Sequence, residues 1–383
     1  MNHYAELYKK ELHNEVIPFW EKHSLDKEFG GFFTCLTEKG KIYDTDKFIW
    51  LQARQIWMFS ELYQTVQKND GWKTTAIFGA NFLEKYGKDS KGDWYFSLNR
   101  KGQPLVQPYN IFSDCFASMA FGKLYEVEPE ERYAEIAKST FKNILRRQHN
   151  PKGKYNKIYP NTRELKNFAL PMILCNLSLE LEPLLGSEKV SEVTDNVIDL
   201  VMNTFYDEES GLVFENVSTT GDFVDSFEGR LLNPGHAIEA MWFVMNLGIR
   251  KNDTNLIQKA EKIMFQQLEH GWDKKYGGIF YFMDSKGHPP QQLEHDQKLW
   301  WVHLETLVAL AKIYAYNQNP KAAKWFNKVH DYTWNHFRDK ENGGEWYGYL
   351  NRQGQVHLNL KGGKWKGCFH VPRALLEVWK TLE

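Results

Sequence analysis

The sequence predicts an all-α protein, an (α/α)6 barrel: a closed ring of six helical hairpins with short β-hairpins at one end. Three observations lead there. One phrase recurs six times, two helical stretches separate successive copies, and the last helical stretch carries no polar cap.

The phrase reads DKEFGGFF from Asp26, DKKYGGIF from Asp273 and DKENGGEW from Asp339, with looser copies from Asp89, Asn150 and Asp207. Its aligned glycines are Gly31, Gly92, Gly153, Gly211, Gly278 and Gly344, spaced 58 to 67 residues apart. A fixed period of this size marks one supersecondary unit used repeatedly. An Asp followed by glycines makes a tight turn, because Gly enters positive φ without steric cost. Alternating aromatics follow. Several copies then show a second turn, at Lys39-Gly40, Lys101-Gly102, Lys286-Gly287 and Gln353-Gly354. Each unit is therefore expected to carry a short β-hairpin.

Apolar residues at helical spacing fill the intervals. Helices that follow a hairpin are expected over 46–66, 109–126, 165–182, 232–249, 296–317 and 367–382. Helices that precede one are expected over 4–23, 72–86, 129–148, 186–206, 252–270 and 319–337. An open solenoid needs polar caps at both ends. The last stretch, with Phe369, Leu375, Leu376, Val378 and Trp379, is as apolar as the middle ones. The ring is therefore expected to close, with the hairpin-following helices inside and their N-termini opening into the hairpin end. A uniform repeat leaves no linker, so residues 1–383 are read as a single domain.

Bulk properties narrow the function. A net charge of −1 gives no electrostatic case for nucleic acid or an anionic membrane surface. No apolar run is long enough to span a bilayer, and the polar N-terminal helix is not a secretory leader. Cys35, Cys115, Cys175 and Cys368 show no paired metal or redox spacing, HExxH is absent, and no metal is expected. Reduced thiols fit a cytoplasmic protein. Aromatic residues make up 15% of the chain. Trp and Tyr at a barrel mouth suit sugar stacking, although any single Trp more often packs helix against helix.

Inner helices face other helices on all sides, so polar residues in them need a reason. Arg54 lies between Trp50 and Trp57 in the first, and it must meet either a carboxylate of a neighbouring helix or a ligand oxygen. The fourth reads LLNPGHAIEAMWF, where Asn233 caps, Pro234 suits the first position, and His236, Glu239 and Trp242 share a face. A carboxylate one turn from a histidine can orient its ring. In the fifth, Trp301 and Glu305 share a face while His303 points elsewhere. His370 stands two residues before Pro372, at the start of the sixth. Two opposed histidines suit two-base chemistry at a carbon acid, since an unperturbed pKa of about 6.5 serves acid and base equally. Arg54 and Glu305 are then placed to hold the oxygens of an enediolate.

At these residues the chain resembles the N-acylglucosamine 2-epimerase family, which includes cellobiose 2-epimerases and aldose–ketose isomerases. The segments that carry the resemblance are WLQARQIWMFSELY (50–63), NPGHAIEAMWF (233–243), KLWWVHLETLVAL (298–310), GGEWYGYLNRQG (343–354) and KWKGCFHVPRAL (364–375). It implies deprotonation and reprotonation at sugar C2, with His236 and His370 as the acid/base pair. It places sugar contacts on Arg54, Glu239, Glu305, Trp242, Trp301 and Trp346. The third inner stretch, KNFALPMILCNL (166–177), has none of the histidines found in cellobiose epimerases and isomerases. That favours N-acetylglucosamine and N-acetylmannosamine as the sugars, with mannose-like sugars or cellobiose as the alternative. A glycoside hydrolase using Glu239 and Glu305, and a sugar-binding protein without turnover, are the competing readings. The family also implies a homodimer that needs no cofactor, with ATP as a possible allosteric effector. The glycine-rich stretch from Gly343 to Gly367 lacks a GxxxxGK[ST] loop and reads better as hairpin turns.

Overall fold

The structure is a computed structural model that describes residues 1–159 and 162–383. Helix α1 (Asn2–Glu11) runs through a π-helical turn (Leu12–Val16) into α2 (Ile17–His23). There follow α3 (Ile49–Thr65), α4 (Asp70–Tyr86), α5 (Ile111–Val127) and α6 (Glu131–Arg147). The second half holds α7 (Ala169–Glu180), the short α8 (Glu182–Leu185) and α9 (Ser187–Asp199), which ends in a second π-helical turn (Leu200–Thr204). The chain finishes with α10 (Pro234–Lys251), α11 (Thr254–Gly271), α12 (Trp300–Asn317), α13 (Pro320–His336) and α14 (His370–Leu382).

Composition separates two rings. In α12 every residue from Trp300 to Ala311 is buried, as expected for a helix with neighbours on all sides. In α6 only one stripe is buried, including Tyr133, Ala137, Phe141 and Ile144, and Arg146 and Arg147 complement the dipole at its C-terminus. Contacts run in sequence order around the inside, from α3 to α5, α7, α10, α12 and α14. Phe369, at the head of α14, meets Trp57 of α3 with ring centroids 5.4 Å apart. The outer helix α1 packs on α14, so the first helix of the chain completes the last hairpin. The ring closes in this way, and the chain forms an (α/α)6 barrel.

All six repeat glycines have positive φ, from 53° at Gly153 to 85° at Gly92. The Asp that opens the phrase has two duties. Asp26 accepts from the backbone N–H groups of Glu28 and Phe29, which fixes the turn, and from the buried Lys47 ammonium at 2.8 Å. Asp273 repeats this with Lys275, Tyr276 and Lys298. The turn is thus tied by a buried charge to the chain that enters the next inner helix.

The structure corrects the expected hairpins in two respects. The strand leading into an inner helix pairs with the following repeat: Lys47–Phe48 with Ser97–Leu98, Leu231–Leu232 with Met283–Asp284, and Lys298–Leu299 with Tyr349–Leu350. A bridge between Thr37 and Leu360 joins the first repeat to the last. The repeats are stitched to one another because a short strand leaves N–H and C=O groups that need a partner. In the third repeat the Asn150 phrase forms a 3-10 turn, Gly153–Tyr155, and the strand Leu165–Asn167 precedes α7.

Candidate active site

The hairpin end opens into a cavity of about 660 Å³ reaching the N-termini of the inner helices. Arg54, His236, Glu239, Trp301 and His370 all line it. The Trp301 ring lies 5.3 Å from that of His236 and 5.9 Å from that of His370, so one indole touches both imidazoles.

His236 sits in the first turn of α10, which Asn233 caps by accepting from the His236 N–H at 3.1 Å. Its ring is held by Glu215, whose two oxygens both lie 3.1 Å from Nδ1. Burial alone favours the neutral ring, but the charge of Glu215 and its hydrogen bond outweigh it and raise the pKa above the ordinary value. Glu239, expected to orient this ring, instead accepts from Arg373 at 2.7 Å.

His370 is governed differently. Its Nδ1 lies 2.7 Å from Glu305, and Arg373 Nη2 also lies 2.7 Å from that carboxylate. Trp242 donates to the other Glu305 oxygen at 3.2 Å. Burial, then the charges of Arg54 and Arg373, hold the His370 pKa well below its usual value. The ring is neutral at physiological pH, with Nδ1–H donated to Glu305 and the Nε2 lone pair free.

Arg54 has no hydrogen bond or ion pair among the described residues. Its guanidinium is caged by Phe116, Trp50 and Phe369, with ring centroids 3.9, 4.5 and 4.7 Å away. Its Nε is buried without a partner. Burial, with Arg373 nearby, brings its pKa down to about 9, so it stays charged at neutral pH. Of the two partners expected for this arginine, the carboxylate is not bonded, and the donors remain for a ligand oxygen.

Three expected sugar contacts stand elsewhere. Glu305 is fully buried behind His370 and is spent on His370, Arg373 and Trp242. Trp242 serves that carboxylate and does not line the cavity. Trp346 is fully buried among the hairpins, donating to Glu11 at 2.9 Å and packing on Trp334. Both ring nitrogens of His303 are used by the backbone, Nε2 by the Ile279 N–H and Nδ1 by the Leu299 carbonyl. Glu215 and Arg373 were not singled out from the sequence. Arg373 follows His370 by three residues, and that helical spacing was a usable signal. Glu215 lies in a connection without periodicity, which gave none.

Glu239, Glu305 and His370 have the donor types of a metal site, with ligand atoms within 4.8 Å of one another. Arg373 Nη2, 2.7 Å from both carboxylates, already supplies the positive charge there. The same bridge argues against a hydrolase, since it leaves no room for a glycosidic bond between the two acids. In the glycine-rich stretch, Lys361 pairs with Asp339 and Lys366 with Glu345.

The sequence profile described as N-acylglucosamine 2-epimerase (GlcNAc 2-epimerase) matches residues 31–374. The chain belongs to the N-acylglucosamine 2-epimerase family. It is 37% identical over 381 residues to the N-acylglucosamine 2-epimerase of Mus musculus, covering 97% of this chain and 90% of that one. Identity to the cellobiose 2-epimerase of Bacteroides fragilis is 23% over 394 residues, with 97% of both chains covered. The solved cellobiose 2-epimerase of Bacillus thermoamylovorans superimposes with a TM-score of 0.86 at 22% identity, covering 99% of this chain and 100% of that one. Membership makes the chain an isomerase of the carbohydrate epimerase class. No helix among the described residues is long and apolar enough to cross a membrane.

Proposed function

We infer that the protein interconverts N-acetylglucosamine and N-acetylmannosamine by moving the proton on C2. The observation that carries this reading is two imidazoles in one cavity, each backed by its own carboxylate and touching the same indole. One ring is biased towards the imidazolium and the other towards the neutral base.

His370 Nε2 takes the C2 proton of the open-chain aldehyde, and the C–H electron pair moves into C1–C2 as the carbonyl pair moves to O1. Because C2 bears nitrogen, the intermediate is an enolate with one oxyanion and not the enediolate of an unsubstituted sugar. Arg54, charged and short of partners, faces that oxygen. His236 then delivers its Nε2 proton to the other face of C2. The imidazoles exchange protonation states, so the reverse reaction uses them in exchanged roles. No cofactor enters this scheme.

The test is incubation of the purified protein with N-acetylmannosamine in heavy water, read by proton NMR. We expect the second epimer to form with deuterium at C2. Epimerisation with no exchange excludes the mechanism, and a ketose product assigns the aldose–ketose alternative.

The electrostatics add a pH prediction. His236 must be protonated to act as acid, so activity falls at alkaline pH as it crosses its raised pKa. His370 must be neutral, so activity falls at acid pH through its lowered pKa. In Glu215→Gln the raising charge is gone and burial remains. The alkaline limb of kcat/KM should move to lower pH while the acid limb stays. An unmoved alkaline limb rejects Glu215 as the group that sets His236.

The reading extends to a cytoplasmic homodimer, one catalytic domain per chain, without nucleic acid or membrane partners. Four buried free cysteines fit a reducing compartment. Any effect of ATP is taken as that of an effector.

A further inference from the structure

One wall of the cavity is unlike the rest. Helices α5 and α7 contribute only Phe112, Phe116, Ala169, Met172 and Ile173 to it. None has a hydrogen-bonding side chain. The C–H face of a sugar can stack on a flat aromatic ring, but its hydroxyls lose by burial without a partner, and Ala169, Met172 and Ile173 offer neither a ring nor a partner. A wholly apolar wall beside the reacting centre therefore fits a part of the ligand that is not hydroxylated.

Position identifies that part. Phe116 belongs to the wall and also cages the Arg54 guanidinium, 3.9 Å away. If Arg54 faces O1, the substituent on the adjacent carbon, C2, lies against the neighbouring surface. In an N-acyl hexosamine that substituent is the acylated nitrogen. Adjoining the wall is a narrow recess of about 10 Å³ that shares Phe116 and Ile173, and also Arg54 and Glu239, with the cavity and that Asn176 and Arg373 line as well. Its volume is that of one water-sized group. Met172 is almost wholly buried, and Ile173 is half-buried at the entrance.

We propose that the α5–α7 wall receives the N-acyl chain, and that Met172 and Ile173 set the acyl length the enzyme accepts. This rests on the reading of the protein as an N-acylglucosamine 2-epimerase and adds the residues that recognise the acyl group. An acetyl methyl lies on the wall. A propanoyl chain adds one carbon towards the recess, and a butanoyl chain exceeds it.

The experiment measures kcat/KM of the full-length protein for N-acetyl-, N-propanoyl- and N-butanoylmannosamine and for mannose. Ratios between substrates are read, because they do not depend on how much of a variant is folded. One methylene in an apolar pocket discriminates by roughly 10–200-fold. Met172→Ala should raise the butanoyl/acetyl ratio by about tenfold or more, and Ile173→Ala should move it the same way. Met172→Phe should lower the propanoyl/acetyl ratio by a similar factor. Wild-type protein should prefer N-acetylmannosamine to mannose. Unchanged ratios in all three variants, or equal turnover of mannose, overturn the assignment while leaving the epimerase intact. Absence of N-acetylmannosamine turnover in the wild type removes the underlying reading and this one with it.

Discussion

Replacing His370 with Asn should abolish epimerisation without abolishing all proton chemistry, and His236→Asn should do the same from the opposite face. Each substitution removes one of two proton carriers, and general acid–base catalysis by such a group contributes typically 10²–10⁴-fold. Inversion needs both carriers, so each single variant should lose epimer formation by at least that factor. Abstraction needs only one. The remaining imidazole in its neutral form, which for His236 means towards its raised pKa, can take a proton from the epimer whose C2–H faces it and return a deuteron to the same face. In heavy water, His370→Asn should therefore wash deuterium into one epimer, and His236→Asn into the other, with no interconversion. Asparagine keeps a polar side chain at each site, so the cavity lining is little altered. Loss of exchange from both epimers in either variant would show that the two rings do not work as independent bases. Exchange from the same epimer in both would place them on one face of the sugar.

The ring of helices was legible because its information is local and repeated. The Asp–Gly–Gly phrase demands positive φ, and Gly278 shows why no other residue serves. Its φ is 74°, and a Cβ there would meet the Tyr332 ring at 2.6 Å. Closure was legible in the apolar sixth helix, which α1 covers. Strand pairing was not, because a two-residue strand has no periodicity to read and its partner lies in another repeat. Of the expected site residues, the acid/base pair His236 and His370 and the sugar contacts Arg54, Glu239 and Trp301 line the cavity, while Glu305, Trp242 and Trp346 do not. Periodicity puts a residue on a helix face, but an inner helix faces both the axis and its neighbours. Nothing in the spacing of Trp301 and Glu305 says that one meets the ligand and the other lies behind a histidine. Glu215 escaped because its partner is 21 residues away in a different element.

Arg373→Met should cause the largest loss of stability of any single change near the site. Its guanidinium, buried with Glu239 and Glu305, lies 2.7 Å from each. Methionine fills similar apolar volume but leaves two buried carboxylates without their cation. Breaking a buried pair in this way costs about 3–5 kcal/mol, read as a lower urea midpoint. The pH dependence separates this cause from simple misfit. Burial already raises the pKa of Glu305, and Arg373 is the first influence that opposes it. Without Arg373 that pKa rises further, so the ionised acid is the form the folded state penalises. The deficit should be greatest at neutral pH and above, and should shrink as pH falls and Glu305 takes up a proton. A deficit that is independent of pH would point to packing alone. Arg373 also helps hold the His370 pKa down, after burial and Arg54. Its removal should raise that pKa and carry the acid limb of kcat/KM to higher pH, while the alkaline limb, set by Glu215 at His236, stays in place. Arg373→Lys should restore part of the stability, because the charge is kept, but an ammonium is more strongly hydrated than the guanidinium, whose Nη2 alone meets both carboxylates, and is costlier to bury.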